Sequence, residues 1–362
     1  MKFKKIIFWN LIILISTFGL LEIFARNFFP EFKNRESYSL EKENLIYGKI
    51  LNKNFFKKKY KNIWISRVIN ENHKFDYNNK DLFIVLGDSI TNGFGMPYED
   101  IYWVKMQKKV LLDKRINNNI EFLALSDYGN NLNDSIKTIN DIKDDFNSSI
   151  KYIMYQFNFN DLIPLELQGA KNPDKTKFKK LLAQIKYSSL EKSVFFNWFV
   201  HYIGASKRYL ENCENGSSSL LNSYSFTFGS KGFESLSQKA WKEFENQIKK
   251  LSIISKNLDA ELFIFISPIL YDIDNKGIHK YHSPKYINYG CATINPREKI
   301  NKISEKLNIK VLDPKEYLKK GFDSYLKENN FQPFFYTADP NHFNNKSSEY
   351  IADYLYFNIF TD

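Results

Sequence analysis

A series of short apolar runs constrains this chain more than any other feature. Residues 82–86, 122–125, 152–157 and 262–266 are nearly continuous apolar runs rich in Ile and Phe, and residues 309–312 form a weaker fifth. A strand buried on both faces shows no polar alternation, so runs like these, separated by helix-length segments, mark a parallel sheet covered on both sides. Between the third and fourth runs, Trp241, Phe244, Ile248, Leu251 and Ile254 fall three or four apart with Lys and Glu between them, the stripe of a helix packed on a core. Strand and helix in alternation, joined by right-handed crossovers, predict an α/β sandwich.

The N-terminus has a different character. Residues 6–25 form an apolar run of 20 residues, which as a helix reaches about 30 Å, the thickness of a hydrocarbon core. The run exceeds the usual h-region of a cleaved signal peptide, and Ile23-Phe24-Ala25 lacks a small residue at the −3 position. An uncleaved transmembrane anchor is expected. Lys2, Lys4 and Lys5 precede it, which predicts a cytoplasmic tail over residues 1–5 and the remainder of the chain outside, in the periplasm or at the cell surface; Arg26 opposes this with a single charge. Asn10 and Glu22 are the only strongly polar residues of the span, with Glu22 close enough to the outer interface for its carboxylate to reach water.

Residues 26–80 alternate charge runs such as Phe56-Lys57-Lys58-Lys59-Tyr60 with aromatic patches and show no sustained period, so a linker and irregular extension are expected there. The main domain then occupies residues 81–362, with an insertion at about residues 164–235 that is too long for an ordinary α/β loop. The insertion holds an apolar stretch from Ser193 to His201, too short to cross a bilayer. It is read as helical, with packing on the core, a lid and a membrane-contacting face as its alternatives.

A formal net charge of +11 raises the question of nucleic acid, but Lys and Arg are spread along the whole length, without an Arg cluster, zinc-finger spacing or aromatic RNA-binding motif. No nucleic-acid partner is expected. Two cysteines, Cys213 and Cys291, rule out a zinc framework or a disulfide-dense scaffold; one disulfide and two separate thiols both fit.

The chemistry concentrates at the ends of the apolar runs. The first run leads directly into Gly87-Asp88-Ser89-Ile90-Thr91-Asn92-Gly93-Phe94-Gly95. A glycine turn from a strand into a helix exposes the next side chains at the carboxyl edge of a parallel sheet, where open α/β folds bind ligands, and places the Ser89 N–H near a helix N-terminus. Taken alone, this is also what a glycine turn with a serine cap looks like. Near the other end, Asp339-Pro340-Asn341-His342 sets a carboxylate three residues before a histidine. That spacing lets Asp339 orient the imidazole as a base for a serine, whose hydroxyl is a poor nucleophile unaided. His73, His201, His279 and His282 have no such acidic neighbour. Gly129 follows the second run and Asn160 the third, so the Ser89 N–H, Gly129 N–H and Asn160 amide are the candidate donors of an oxyanion hole.

In order and spacing these blocks resemble the SGNH (GDSL-type) serine hydrolases, membrane-anchored bacterial members included. Residues 87–95 are similar to the family's first block, Gly129 to the second, Asn158-Phe159-Asn160-Asp161 to the third and Asp339-Pro340-Asn341-His342 to the fourth, over about residues 81–360. Asn158 and Ser126 depart from it, each standing where the family commonly has glycine. The resemblance implies a flavodoxin-like three-layer α/β/α sandwich with a central parallel sheet. It also implies ester hydrolysis without metal or cofactor, with Ser89 as nucleophile, His342 as base and Asp339 as its partner. The expected substrates are acyl esters, O-acylated glycans or lipids of the cell envelope. Acyl transfer to a sugar hydroxyl and a catalytically idle glycan-binding or scaffolding domain are the alternatives.

Overall fold

The computed structural model describes residues 2–28, 55–60, 63–68, 80–93, 96–116, 119–127, 129–143, 149–162, 193–196, 198–199, 227–229, 233–273, 293–328, 334–336 and 339–361. Most of the insertion, both cysteines, Gly95 and His73, His201, His279 and His282 lie outside these residues.

Among the described residues a seven-stranded sheet forms the centre. Its strands are β1 (Phe55–Tyr60), β2 (Ile63–Val68), β3 (Asp81–Gly87), β4 (Ile120–Ser126), β5 (Ser149–Phe157), β6 (Glu261–Ile266) and β7 (Lys310–Leu312), in the spatial order β1-β2-β4-β3-β5-β6-β7. The five strands from β3 to β7 are parallel; the first four cover the predicted runs, and β7 covers the fifth from Lys310, one residue past its predicted start. Their order is the flavodoxin-like one, with the switch point on either side of β3.

Residues 26–80 were expected to be irregular, and here the structure corrects the sequence reading. β1 and β2 pair antiparallel, and β2 pairs antiparallel with β4 through Trp64↔Ser126, Ile65↔Leu125 and Ser66↔Ala124, so the sheet is mixed rather than wholly parallel. The outermost strand carries Lys57, Lys58 and Lys59, and lysines on an edge strand block further pairing while erasing the apolar run by which a strand is recognised.

Period-two alternation within β3 divides the core. Phe83 and Val85 point to one face and Leu82, Ile84 and Leu86 to the other, and each set belongs to a separate buried cluster. The first face is covered by α3 (Tyr102–Leu112), α8 (Lys315–Lys327) and α9 (Asn345–Phe360), and the second by α4 (Leu132–Ile142), α5 (Glu234–Asn257) and α7 (Pro296–Leu307). This is the expected three-layer sandwich. In α5, Trp241, Phe244, Ile248 and Leu251 are buried and Ile254 packs beside them, as their spacing requires. Two short helices stand at the carboxyl edge, α2 (Ser89–Asn92) after β3 and α6 (Leu270–Ile273) beyond β6.

The N-terminal helix α1 runs from Lys2 to Phe28, past both ends of the predicted span. It is long and apolar enough to cross a membrane, and its most apolar window is not buried within the protein.

Candidate active site

The end of the site that carries Ser89, the candidate nucleophile, is assembled around α2. Gly87 closes β3, where an added Cβ would meet the Thr91 side chain and lie 2.6 Å from Gln156 Oε1, so no other residue fits without displacing them. Asp88 caps α2 by accepting from the Ile90 N–H at 2.9 Å, and Ser89 is the first helical residue. Gln156 Oε1 accepts from the Asp88 N–H at 3.4 Å and from the Thr91 hydroxyl at 3.0 Å. The Thr91 and Tyr102 hydroxyls are 2.8 Å apart, and the Trp103 indole N–H donates to the Thr91 carbonyl at 2.8 Å. Every partner in this set is buried, so the helix that carries Ser89 is held from below by β5 and from the side by α3.

The candidate base, His342, lies on a separate small sheet. β8 (Phe335–Tyr336) and β9 (Asp339–Phe343) pair antiparallel, and His342 in β9 brings Nε2 to 2.8 Å from Ser89 Oγ across 253 residues of chain. The two residues that follow His342 are themselves fixed. Phe343 is buried edge-on against Tyr102, with ring centroids 6.3 Å apart. Asn344 then caps α9: its Oδ1 accepts from the Ser347 N–H at 3.1 Å, and Ser347 Oγ accepts from the Asn344 N–H at 3.2 Å. Asp339 shares β9 with His342, but its side chain lies outside the described part of the structure.

Two strand ends complete the rim. Gly87 is paired with Ser126 at the end of β4, and Leu86 with Tyr155 near the end of β5, so Gly129 and Asn160 leave the sheet at the same edge as Ser89. Gly129 has φ +68°, a left-handed conformation, and a Cβ built there would meet no atom within 4 Å. Glycine is required by the backbone alone. Asn160 Oδ1 is buried without a hydrogen-bond partner among the described residues.

Asn158, one of the departures from the motif, does not narrow the site. It is buried, its Nδ2 donates to Asp88 Oδ2 at 3.0 Å, and its N–H donates to Asp161 Oδ2 at 2.9 Å, the same oxygen that accepts from the Tyr155 hydroxyl at 2.8 Å. Burial raises the Asp88 carboxyl pKa above its ordinary value, against the pull of Ile90, Asn158 and the nearby His342. Burial also raises that of Asp161 well above its ordinary value, and the charge of Asp88 adds to the effect. Ser126, the other departure, is the last residue of β4 and buried; its carbonyl accepts from Asn92 Nδ2 at 3.4 Å.

Beyond Thr91, which belongs to the first block, three contributors escaped the sequence reading: Gln156, Thr227 and Arg297. Thr227 Oγ1 donates to the Phe159 carbonyl at 2.6 Å. The Arg297 guanidinium lies 5.0 Å from the centre of the Phe159 ring, donates to both Asp272 oxygens at 2.8 and 2.7 Å, and reaches Asp313 at 2.7 Å. Together they fix the turn between Asn158 and Asn160. The one signal in the sequence is Gln156, a lone polar residue in the apolar third run.

No protein-family model matches the chain, and no curated protein does. Among solved structures, the chain is similar to the acetyl xylan esterase AlAXEase, with 15% identity, 77% of this chain and 100% of that one covered, and a TM-score of 0.40. It is similar to a psychrotrophic esterase from Pseudoalteromonas sp. at 14% identity, covering 78% of this chain and 98% of that one at a TM-score of 0.38. An acetylxylan esterase from Geobacillus stearothermophilus follows at 10% identity, 77% and 93% coverage, and a TM-score of 0.37.

Proposed function

We propose that the protein is a serine esterase of the SGNH type, anchored by α1, that removes acyl groups from esters of envelope glycans or lipids through an acyl-Ser89 intermediate. The observation that carries this reading is the 2.8 Å approach of His342 Nε2 to Ser89 Oγ at the switch point of the sheet. A hydroxyl bonded to a neutral imidazole can surrender its proton as it attacks, which is the activation a serine nucleophile needs.

In the first step His342 Nε2 takes the Ser89 proton while Oγ bonds to the ester carbonyl carbon. The resulting oxyanion accepts hydrogen bonds from the Ser89 N–H, the Gly129 N–H and the Asn160 Nδ2 amide, which leave the sheet at the same edge. Collapse breaks the bond to the leaving alcohol, which receives the proton from His342. Water, deprotonated by the same nitrogen, then releases the acid and restores Ser89. Asp339 holds the imidazole in the tautomer with the proton on Nδ1, leaving Nε2 free to accept.

With α1 as a retained anchor and its lysines inside, the sandwich faces the extracytoplasmic side, where acylated glycans and lipids of the envelope are found. A fluorophosphonate probe tests the assignment, because it labels only an activated serine. Labelling of the parent and its loss in Ser89→Ala are expected; a folded parent that takes no label would sink the reading. Product analysis with an acetylated sugar then tells whether water or a second hydroxyl resolves the acyl-enzyme.

A further inference from the structure

Most of α1 is bare. Leu14, Leu20 and Ile23 are exposed, like nearly every apolar residue of the helix, but Ala25 is fully buried. It packs with Val194, Phe195 and Trp198 in a third apolar cluster, separate from the two that flank the sheet. The stretch from Ser193 therefore packs on α1 through a cluster of its own, apart from both faces of the sandwich.

The contact is polar at its centre. Glu22 accepts from Ser193 Oγ at 2.7 Å, from the Val194 N–H at 3.0 Å, from the Phe195 N–H at 2.9 Å and from Arg26 Nε at 2.8 Å. A carboxylate on the first amides of a helical stretch satisfies groups that have no partner within that stretch. Phe18 adds an edge-on contact to Phe195, at 6.1 Å between ring centres.

We propose that residues 193–196 and 198–199 belong to an interfacial membrane element, seated at the boundary between headgroups and acyl chains beside the outer end of α1, with lipid as its partner. The proposal rests on reading α1 as a retained anchor. Depth supplies the argument. Glu22 lies 16 residues beyond Ile6, about 24 Å along the helix at 1.5 Å per residue, near the far boundary of a hydrocarbon core about 30 Å thick. A carboxylate at that level is costly unless its oxygens are satisfied, and the four donors satisfy them. Three of the four come from the second segment, which must then sit at the same depth. That places Phe195, Trp198 and the 43% exposed Phe199 where aromatic side chains favour the membrane boundary. A cleaved leader would leave the amides of Val194 and Phe195 without these acceptors.

Photocrosslinking of the full-length protein in phosphatidylcholine–phosphatidylglycerol vesicles tests this. Benzoylphenylalanine is placed singly at Phe199, at Ile13 within α1, and at Leu112, which is 81% exposed on the sandwich, and lipid adducts are read by mass spectrometry. Adducts are expected at Phe199 and Ile13 and only at background level at Leu112. Glu22→Ala should reduce the Phe199 adduct several-fold while leaving that at Ile13 unchanged; an undiminished Phe199 adduct would overturn the assignment of Glu22 as the tether. If Ile13 labels and Phe199 matches Leu112, the segment is not at the membrane and the anchor stands. If neither Ile13 nor Phe199 labels, the anchor reading falls and this inference with it.

Discussion

The two halves of the site are built to different standards. Ser89 stands at the end of β3, the strand with a parallel neighbour on each side, and its helix is bonded to β5, α3 and the end of β4 through Gln156, Trp103 and Asn92. His342 stands on a two-stranded sheet outside the main one, positioned by Phe343 against Tyr102 and by the Asn344 cap of α9. The helix of the candidate nucleophile is held by buried hydrogen bonds to three elements of the main sandwich, whereas the segment of the candidate base is held from the smaller sheet, with a ring contact and a helix cap among its supports. Loss of a residue that supports the first half should appear chiefly in stability, and loss of one that supports the second chiefly in turnover.

The largest effect expected is in the chemical groups themselves. Ser89→Ala and His342→Ala should each reduce kcat on an ester by about 10⁴-fold or more with little change in Tm, and Asp339→Asn should leave more residual activity. Near-parental kcat in His342→Ala, on a substrate that Ser89→Ala cannot turn over, would break the assignment of the base. Arg297→Met comes next. It strands Asp272 and Asp313 in a mostly buried position and removes the support of Phe159, so a loss of about 3–5 kcal/mol in a denaturant titration is expected. Asn160→Ala should lower kcat by roughly 10²–10³-fold with an unchanged melting curve, the usual loss for one oxyanion donor.

The comparison itself is sharpened by a smaller pair. Thr91→Val leaves the Tyr102 hydroxyl without its buried partner and should cost about 1–3 kcal/mol of stability with a modest change in kcat. Asn344→Ala, two residues along the chain from His342, should cost only about 1 kcal/mol and yet lower kcat more than Thr91→Val does. The reverse ranking would show that the two halves are equally constrained.

The smallest effect concerns pH. Because the folded-state pKa of Asp161 is raised, its contribution to stability is fully present below the ordinary carboxylate pKa and is lost as pH rises through the raised value. Asp161→Asn keeps an acceptor for Tyr155 and for the Asn158 N–H but does not titrate. The Tm of the variant minus that of the parent should therefore increase between about pH 4 and about pH 8. A difference that stays flat across that range would mean that Asp161 is not held in the folded state as described.

The strands from β3 to β6 were legible in the sequence because each is buried on both faces, and a strand with no wet face must be apolar at every position. The turn at Gly87-Asp88-Ser89 was legible for a related reason: its residue types are demanded by backbone geometry and by chemistry, both of which act locally. The strands β1 and β2 were not legible, since an edge strand can carry Lys57, Lys58 and Lys59 and still pair, and what makes it a strand is the open edge of β4 rather than its own pattern.

What the sequence determined by itself, then, is the order of strands and helices, the apolar N-terminal helix and the residue types poised at the strand ends. Tertiary structure alone decided that His342 meets Ser89 from 253 residues away, that Asn158 turns inward to Asp88, that Arg297 supports Phe159, and that Glu22 bonds to the segment after Ser193. The first set follows from steric and solvation preferences that each residue expresses among its chain neighbours. The second depends on hydrogen bonds and ion pairs between groups far apart in the chain, whose strength appears only once the fold has removed water from around both partners.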